Sequence, residues 1–251
     1  MLILAMDTST MVGGVALLKD GVTVGEHILS VRATHSERLM SSVEALMAAA
    51  NVSPGDLDAI ACGVGPGSFT GVRIGVSACK AMAYALSIPI VSVPSLDALA
   101  HGRGRGACAV WCLIDARHGR CYSASFVPAA SGDTWAPERA SAYAIRHVSE
   151  VAALARETAL ASSTSASGDS DRRARVLFLG DGALAYAESL CAGLPDAAEI
   201  PPAPMAILRP SQVGLLGMDL LRAGSADDPA SVVPMYLRPS EAEVRLAERE
   251  R

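Results

Sequence analysis

The residues with the clearest chemical potential lie in a glycine-rich stretch, Gly63 to Gly75, with the sequence GVGPGSFTGVRIG. The apolar run before it, residues 57–62, predicts a strand, and residues 76–86, which lack glycine and proline, predict a helix. Glycines at such a junction let the backbone turn tightly and direct its amides toward one point, where the helix dipole favours an anion. The stretch therefore predicts an anion site or a tight turn. Its candidate anion-binding residues are Gly65, Gly67 and Ser68.

The spacing of these glycines fits neither of the common phosphate-binding loops. A P-loop places lysine and serine or threonine after its last glycine, but valine and arginine follow Gly71. A dinucleotide-binding fingerprint that begins at Gly63 meets Ser68 where its third glycine belongs, and one that begins at Gly65 meets Thr70. The spacing alone therefore specifies no particular nucleotide.

Two other strand ends carry residues that could contact an anion. The apolar run 1–6 is typical of a strand buried on both faces, and it ends at Asp7. A carboxylate there could hold a metal–phosphate group, or it could form a turn by hydrogen-bonding its own backbone, and both interpretations stay open. Residues 180–182 form a second glycine turn between a predicted strand and helix. These two motifs add Asp7, Thr8, Ser9, Gly180 and Gly182 to the candidates.

Composition excludes several classes of function. The 251 residues are 51% hydrophobic and allow one large domain or two smaller ones. A net charge of −5 argues against independent, electrostatically driven binding of nucleic acid. The first apolar run is too short for a signal peptide or a membrane span, so we expect a cytoplasmic protein without a membrane contact. The six cysteines lack paired CxxC spacing, which favours buried free thiols in a reducing cytoplasm over a metal site or a disulfide.

Two helices flank the strand and loop described above. Residues 34–37, Thr-His-Ser-Glu, match a capping box, and the helix that follows carries one continuous apolar stripe. The helix 76–86 is apolar nearly all round and must therefore be covered on two sides. One cover is a sheet, and the second is either the neighbouring helix or a partner protein.

The order of elements suggests a duplication. A glycine-rich boundary at residues 102–106 separates two segments, and each begins with strand, turn, strand and helix. This order indicates two similar α/β lobes. Residues 161–174 are rich in serine and alanine without periodicity, which predicts a flexible insertion.

Five motifs in order along the chain together resemble the TsaB (YeaZ) family, bacterial proteins of threonylcarbamoyladenosine synthesis on tRNA. The motifs are Asp7-Thr8-Ser9, Thr34-His35-Ser36-Glu37, the stretch 63–75, Asp115-Ala116-Arg117-His118-Gly119 and Pro234-Met235-Tyr236-Leu237-Arg238. The resemblance implies an α/β protein with the two-lobed actin/Hsp70/sugar-kinase-like (ASKHA) fold, in which helices flank mixed sheets and each lobe is a βββαβα unit. It places the N-terminal lobe at residues 1–101, with residues 210–240 packing back on it, and the C-terminal lobe at residues 107–209.

The resemblance also implies that the chain is not itself an enzyme. The paralogous transferase TsaD holds a metal through two histidines four residues apart, and Leu96 and Ala100 stand at the matching places here. Neither side chain can bind a metal, and His101 alone cannot restore the site. We therefore expect no catalytic residue and no metal.

What the resemblance implies instead is a scaffold subunit of the complex that adds a threonylcarbamoyl group to N6 of adenosine 37 in tRNAs reading codons that begin with A. The expected partners are a TsaD-type paralogue in a heterodimer, a TsaE-type ATPase in a ternary complex, a second copy when the chain is alone, and tRNA only through the complex. No cofactor is required, and weak ATP or ADP binding is allowed. The expected partner interface comprises His35, Leu39, Val43, Leu46, Met47, Val72, Val76, Cys79, Lys80 and Ala83.

Two other functions stay open. The same fold supports an ATP-dependent phosphotransferase or a peptidase, although no nucleophile with a base and an orienting group stands out. A tRNA-binding module is the third hypothesis, and the acidic net charge opposes it.

Overall fold

The computed structural model describes residues 1–30, 35–102, 109–127, 138–163 and 175–238. Within these ranges the chain forms two mixed β-sheets with helices between and outside them. No helix in the described ranges combines the length and the apolar character needed to cross a lipid bilayer.

The first sheet has the strand order β3-β2-β1-β4-β5. Its strands are β1 (Leu2–Asp7), β2 (Val12–Lys19), β3 (Val22–Ser30), β4 (Ala59–Gly63) and β5 (Ile90–Val93). Strand β1 pairs antiparallel with β2 and parallel with β4. The tight turn between β2 and β3 uses Asp20 and Gly21, both at positive φ, as an Asp-Gly hairpin requires.

The second sheet repeats this connectivity. Its strands are β6 (Ala109–Asp115), β7 (Arg120–Val127), β8 (Glu138–Arg139), β9 (Ala144–His147), β10 (Val176–Leu179) and β11 (Ala198–Glu199). The order is β11-β10-β6-β7-β8, with β9 also paired to β7. As in the first sheet, the first strand (β6) pairs antiparallel with the next strand and parallel with the strand that follows a helix. The duplicated unit confirms the predicted ASKHA fold class.

The helices are α1 (His35–Ala49), α2 (Phe69–Leu86), α3 (Ser95–His101), α4 (Val148–Ser163), α5 (Asp181–Ala185), α6 (Ala187–Gly193), α7 (Ala203–Ala206) and α8 (Pro210–Arg222). The prediction that α2 begins near residue 76 was wrong, since it begins at Phe69 with Ser68 as N-cap. The glycines at 71 and 75 lie inside the helix. Alanine would be the better helix former at either position, so a packing reason must favour glycine.

Three apolar cores hold these layers together. One lies between α1, α2 and the first sheet, and another lies between the second sheet and its outer helices α4, α5 and α6. The third joins the two sheets through α3 and α8. Helix α8 contacts β1, β2, β4 and β5, so residues 210–222 pack on the first sheet. The expected boundary at 102–106, apart from Gly102, and residues 164–174 of the expected insertion lie outside the described residues.

The structure corrects the expected partner interface. Eight of its ten side chains are at most 5% exposed and belong to the core beneath α1 and α2: Leu39, Val43, Leu46, Met47, Val72, Val76, Cys79 and Ala83. They pack on apolar residues of the first sheet such as Leu4, Leu17 and Ile60. The apolar stripe of each helix therefore faces its own sheet, and these side chains are not available to a partner.

The other two residues of that set differ from the eight. Lys80 is half-buried, and its ammonium donates hydrogen bonds to the carbonyls of Ala230 (3.1 Å) and Val232 (2.8 Å). Lys80 therefore holds the C-terminal segment, residues 223–238, against α2. The side chain of His35 lies outside the described residues.

Substitution of Val76 by alanine tests the burial of this stripe. We expect Val76→Ala to lower the free energy of unfolding by about 2 kcal/mol, because the removed methyl groups leave a cavity in the core. The matched control is Ser77→Ala on the exposed side of the same helix turn, with an expected change within about 0.5 kcal/mol. Urea unfolding followed by circular dichroism measures both. Equal stabilities of the two variants would contradict the assignment.

Candidate functional site

The predicted anion-binding residues of the first lobe meet at the carboxyl end of β1. Asp7 is 2% exposed, and its two carboxylate oxygens accept hydrogen bonds from different elements. Oδ1 accepts from the amide (2.7 Å) and the hydroxyl (2.6 Å) of Ser9, whereas Oδ2 accepts from the hydroxyl of Ser95 at the start of α3 (2.7 Å). Asp7 therefore joins the β1–β2 turn to α3.

Four glycines spaced four residues apart pack on this end of β1. A Cβ atom at Gly63 would overlap the carboxylate of Asp7, and one at Gly67 would overlap the carbonyl of Ser9. Cβ atoms at Gly71 and Gly75 would overlap the carbonyl and the hydroxyl of Thr8. The hydroxyl of Thr8 donates to the carbonyl of Gly71 (2.6 Å), which ties helix α2 to the strand end. The glycines thus permit the loop and α2 to approach Asp7, Thr8 and Ser9 closely.

Other parts of the chain bind several polar groups of the glycine loop. The amide of Ser68 donates to the carbonyl of Ser9 (2.7 Å), and its hydroxyl accepts from the amide of Gly71 (3.3 Å) as a helix cap. The amide of Met235, in the C-terminal segment, donates to the carbonyl of Val64 (2.7 Å). The loop therefore packs against both the β1–β2 turn and the C-terminal segment, and its anion-binding role stays a prediction.

The C-terminal segment also builds a cluster that sequence reasoning missed. The ring of Tyr236 stacks on the ring of Phe69, with centroids 4.6 Å apart. The guanidinium of Arg73 lies over Phe69, 3.9 Å from the ring centroid, and its Nε donates to the hydroxyl of Tyr236 (2.6 Å). No local signal connects two residues 163 positions apart, although both lie in the motifs that carried the family resemblance.

The second lobe presents two carboxylates at the corresponding strand ends. Asp115 ends β6, and its Oδ1 accepts hydrogen bonds from the amide of Arg117 (2.8 Å) and the hydroxyl of Tyr186 (2.9 Å). Asp181 follows β10, and its Oδ1 accepts from the amide of Asp115 (3.1 Å). Burial raises the pKa of Asp181 from 3.8 to about 6, and the nearby charge of Asp115 adds to the rise.

The predicted glycines 180 and 182 flank Asp181 in this second arrangement. Gly180 adopts a φ of 104° and donates its amide to the carbonyl of Ala206 (2.7 Å). A Cβ atom at Gly180 would overlap the carbonyl of Leu113, and one at Gly182 would approach the sulfur of Cys121 to 3.0 Å. Burial raises the pKa of that thiol to about 12, so Cys121 is a protonated packing residue at neutral pH. These glycines, too, serve close packing.

The two residues at the positions that match the metal-binding histidines of the paralogue do not fit a metal. Leu96 and Ala100 are both fully buried on α3, inside the core between the two sheets. His101 is engaged elsewhere, since its Nε2 lies 3.0 Å from the carboxylate of Asp219 on α8. Among the residues that the structure describes, no group of three or more histidine, cysteine or acidic side chains is arranged to hold a metal ion.

The duplicated sheets and the packed strand ends define a two-lobed protein of the actin/Hsp70/sugar-kinase type. The model of one protein family, described as TsaD, tRNA N6-adenosine threonylcarbamoyltransferase, matches residues 29–246. The chain therefore belongs to this family.

Within the family the chain is similar to TsaB proteins, which confirms the resemblance predicted from the sequence. It is 41% identical to the tRNA threonylcarbamoyladenosine biosynthesis protein TsaB of Bacillus subtilis over 123 residues, which are 49% of this chain and 54% of that protein. It is 40% identical to the Escherichia coli TsaB over 128 residues, 50% and 55% of the two chains. The chain thus spans about half the length of the curated relatives it matches. The structure of YeaZ from Pseudomonas aeruginosa superposes with a TM-score of 0.72 at 28% identity, covering 94% of this chain and 99% of that one.

A helical glycine tests the close approach of α2 to β1. Alanine is by itself the better helix former by roughly 1 kcal/mol. We nevertheless expect Gly71→Ala to lower the free energy of unfolding by at least about 1 kcal/mol, because its Cβ would overlap the backbone of Thr8. The control is Gly55→Ala, where a Cβ meets nothing within 4 Å. A Gly71→Ala variant as stable as the native chain in urea unfolding would contradict this packing.

The raised pKa of Asp181 makes stability depend on pH. The native state retains the proton of Asp181 up to about pH 6, whereas the unfolded chain loses it near 3.8, so the group's contribution falls as pH rises between these values. We expect Asp181→Asn to match the native stability near pH 4 and to exceed it at pH 7. The slope of the difference is at most about 1.4 kcal/mol per pH unit. Urea unfolding across this pH range measures it, and a constant difference would refute the assignment.

Proposed function

We propose that this chain is a non-catalytic scaffold subunit in the synthesis of threonylcarbamoyladenosine on tRNA. It binds a TsaD-type transferase and holds that partner in its active arrangement, in the cytoplasm. A TsaE-type ATPase completes the complex, and tRNA contacts the chain only through the assembly. The observation that carries the proposal is an intact two-lobed fold whose expected metal positions are occupied by the buried side chains of Leu96 and Ala100.

The exposed side of α1 and α2 is the surface we assign to the partner. It comprises Met40, Glu44 and Ala48 of α1 with Ser77, Ala81 and Tyr84 of α2, all exposed, and is called here the outer ridge. The spacing of these residues places each set on one side of its helix. Met40 is 47% exposed and Tyr84 is 82% exposed, which is unusual for large apolar or aromatic side chains and typical of interface anchors.

The position of the outer ridge supports a scaffold role. The core beneath it fixes α1 and α2 to the first sheet, so the ridge is a rigid surface that loses little entropy when a partner binds. The same ridge can pair with a second copy of the chain when the transferase is absent, because an isologous contact uses one surface twice.

A catalytic function receives less support from the site. Both carboxylate oxygens of Asp7 accept hydrogen bonds from the chain's own groups, and the glycine loop is packed against backbone. The proposal therefore includes no required cofactor. Weak ATP or ADP binding stays a prediction, which equilibrium dialysis with labelled nucleotide measures.

Charge placed on the outer ridge tests the proposal. We expect Met40→Glu to abolish co-purification with the TsaD-type transferase of the same organism and to remove threonylcarbamoyl transfer by the assembled complex, because a carboxylate would be desolvated in an apolar contact. The matched control is Met205→Glu, which alters an exposed methionine of the second lobe (65%) and should preserve both. Melting temperatures of both variants should equal that of the native chain.

Two results would reject the scaffold role. One is the absence of any complex between the native chain and the transferase. The other is full transferase activity when this chain is omitted.

A further inference from the structure

We propose that Arg73 is a prepositioned anchor that binds a carboxylate of the partner protein at one end of the outer ridge. The inference rests on the proposed function, because it assigns a specific contact to the surface that function requires. It differs from the earlier interface prediction, which did not include Arg73 and eight of whose ten side chains lie in the core.

The guanidinium of Arg73 is held in place on two sides. Phe69 lies one helical turn earlier, and the guanidinium carbon lies over its ring at 3.9 Å from the centroid. The hydroxyl of Tyr236 accepts the hydrogen bond from Nε at 2.6 Å. The stacked rings of Phe69 and Tyr236 brace each other, at an angle of 27°. An exposed arginine normally loses considerable side-chain entropy when it binds, and this cluster reduces that loss before the partner arrives.

The described residues leave the terminal nitrogens of Arg73 available to a ligand. Within the described residues, no carboxylate lies within ion-pair distance of Arg73, and its one hydrogen bond to a side chain uses Nε. The side chain is exposed on the second turn of α2. A guanidinium fixed through Nε and one face presents a planar edge with paired donors, which matches a carboxylate.

The position on α2 connects this edge with the outer ridge. Arg73 precedes Ser77, Ala81 and Tyr84 at spacings of four, eight and eleven residues, so all four lie on one exposed side of the helix. Arg73 is the only charged residue of this set. A partner that covers Ser77, Ala81 and Tyr84 would also cover Arg73 and leave it without a counter-charge unless the partner supplies one. Burial of an unpaired guanidinium is strongly unfavourable.

A protein carboxylate fits this edge better than an RNA phosphate does. The net charge of the chain is −5, and Glu44 lies on the exposed side of the neighbouring helix. Both features repel a polyanion more than they repel a single carboxylate within a neutral surface. Binding of tRNA through Arg73 is therefore an alternative that the test must distinguish.

The experiment measures the affinity of the full-length chain for the purified TsaD-type transferase of the same organism by isothermal titration calorimetry, at low and at high salt. We expect Arg73→Glu to weaken binding by about tenfold or more, since it places two carboxylates against each other. Arg73→Lys should weaken it by about threefold to tenfold, because a lysine cannot form the paired bonds. Tyr236→Phe should weaken it by roughly threefold, since it frees Nε but keeps the ring stack.

The matched control is Arg175→Glu, which makes the same charge change at an exposed arginine of the second lobe and should leave the affinity unchanged. The native affinity should fall with added salt, and this dependence should be smaller for Arg73→Glu. Melting curves of every variant check folding. If Arg73→Glu does not fold, the affinities of Arg73→Lys and Tyr236→Phe decide the question.

The outcomes separate the two proposals. If the native chain does not bind the transferase, the proposed function fails and the anchor fails with it. If the native chain binds, and Arg73→Glu and Tyr236→Phe bind equally well, only the anchor is refuted. Loss of tRNA binding by the isolated Arg73→Glu chain, with unchanged affinity for the transferase, would also refute it.

Discussion

The close approach of α2 to the carboxyl end of β1 is the constraint on which the first lobe depends. Glycines at 63, 67, 71 and 75 recur every four residues, and each faces Asp7, Thr8 or Ser9 without a Cβ atom. At this separation the hydroxyl of Thr8 reaches the carbonyl of Gly71, and the amide of Ser68 reaches Ser9. The same contact therefore determines where α2 begins and which of its sides faces the sheet.

The two lobes are joined by more than the chain connection. Helices α3 and α8 lie between the sheets, and their apolar side chains form one core with residues of both sheets. This core includes Leu99 of α3, Val213 of α8 and Ile114 of the second sheet. A polar link supports it, since the hydroxyl of Tyr143 in the second lobe donates to Asp97 on α3 (2.7 Å). Burial raises the pKa of Asp97, although the hydrogen bond from Tyr143 and the charge of Arg139 oppose the rise. The shared core favours a fixed relation between the lobes, which the proposed scaffold role would require.

Much of this fold could be predicted from the sequence because its signals are local. Hydrophobic runs located the strands, and the repeated strand and helix order indicated the duplication that both sheets show. The start of α2 could not be located in this way, since glycine disfavours a helix and only the tertiary contact with Thr8 explains Gly71 and Gly75. An apolar helix stripe shows which side is buried, but not whether a sheet or a partner covers it. For this reason eight of the ten expected interface residues proved to be core residues.

The site shows the same limit more strongly. Ser95, which completes the hydrogen bonds of Asp7, and Tyr236, which holds Arg73, are distant in sequence from the residues they support. Their contacts exist because α3 and the C-terminal segment fold back on the end of β1 and on α2. Leu96 and Ala100, at the positions that match the metal-binding histidines of the paralogue, are buried between the sheets. Apolar side chains there avoid the cost of burying two imidazole groups. A histidine at either place would need a hydrogen-bond partner inside this core, so Leu96 and Ala100 favour the apolar packing between the two sheets.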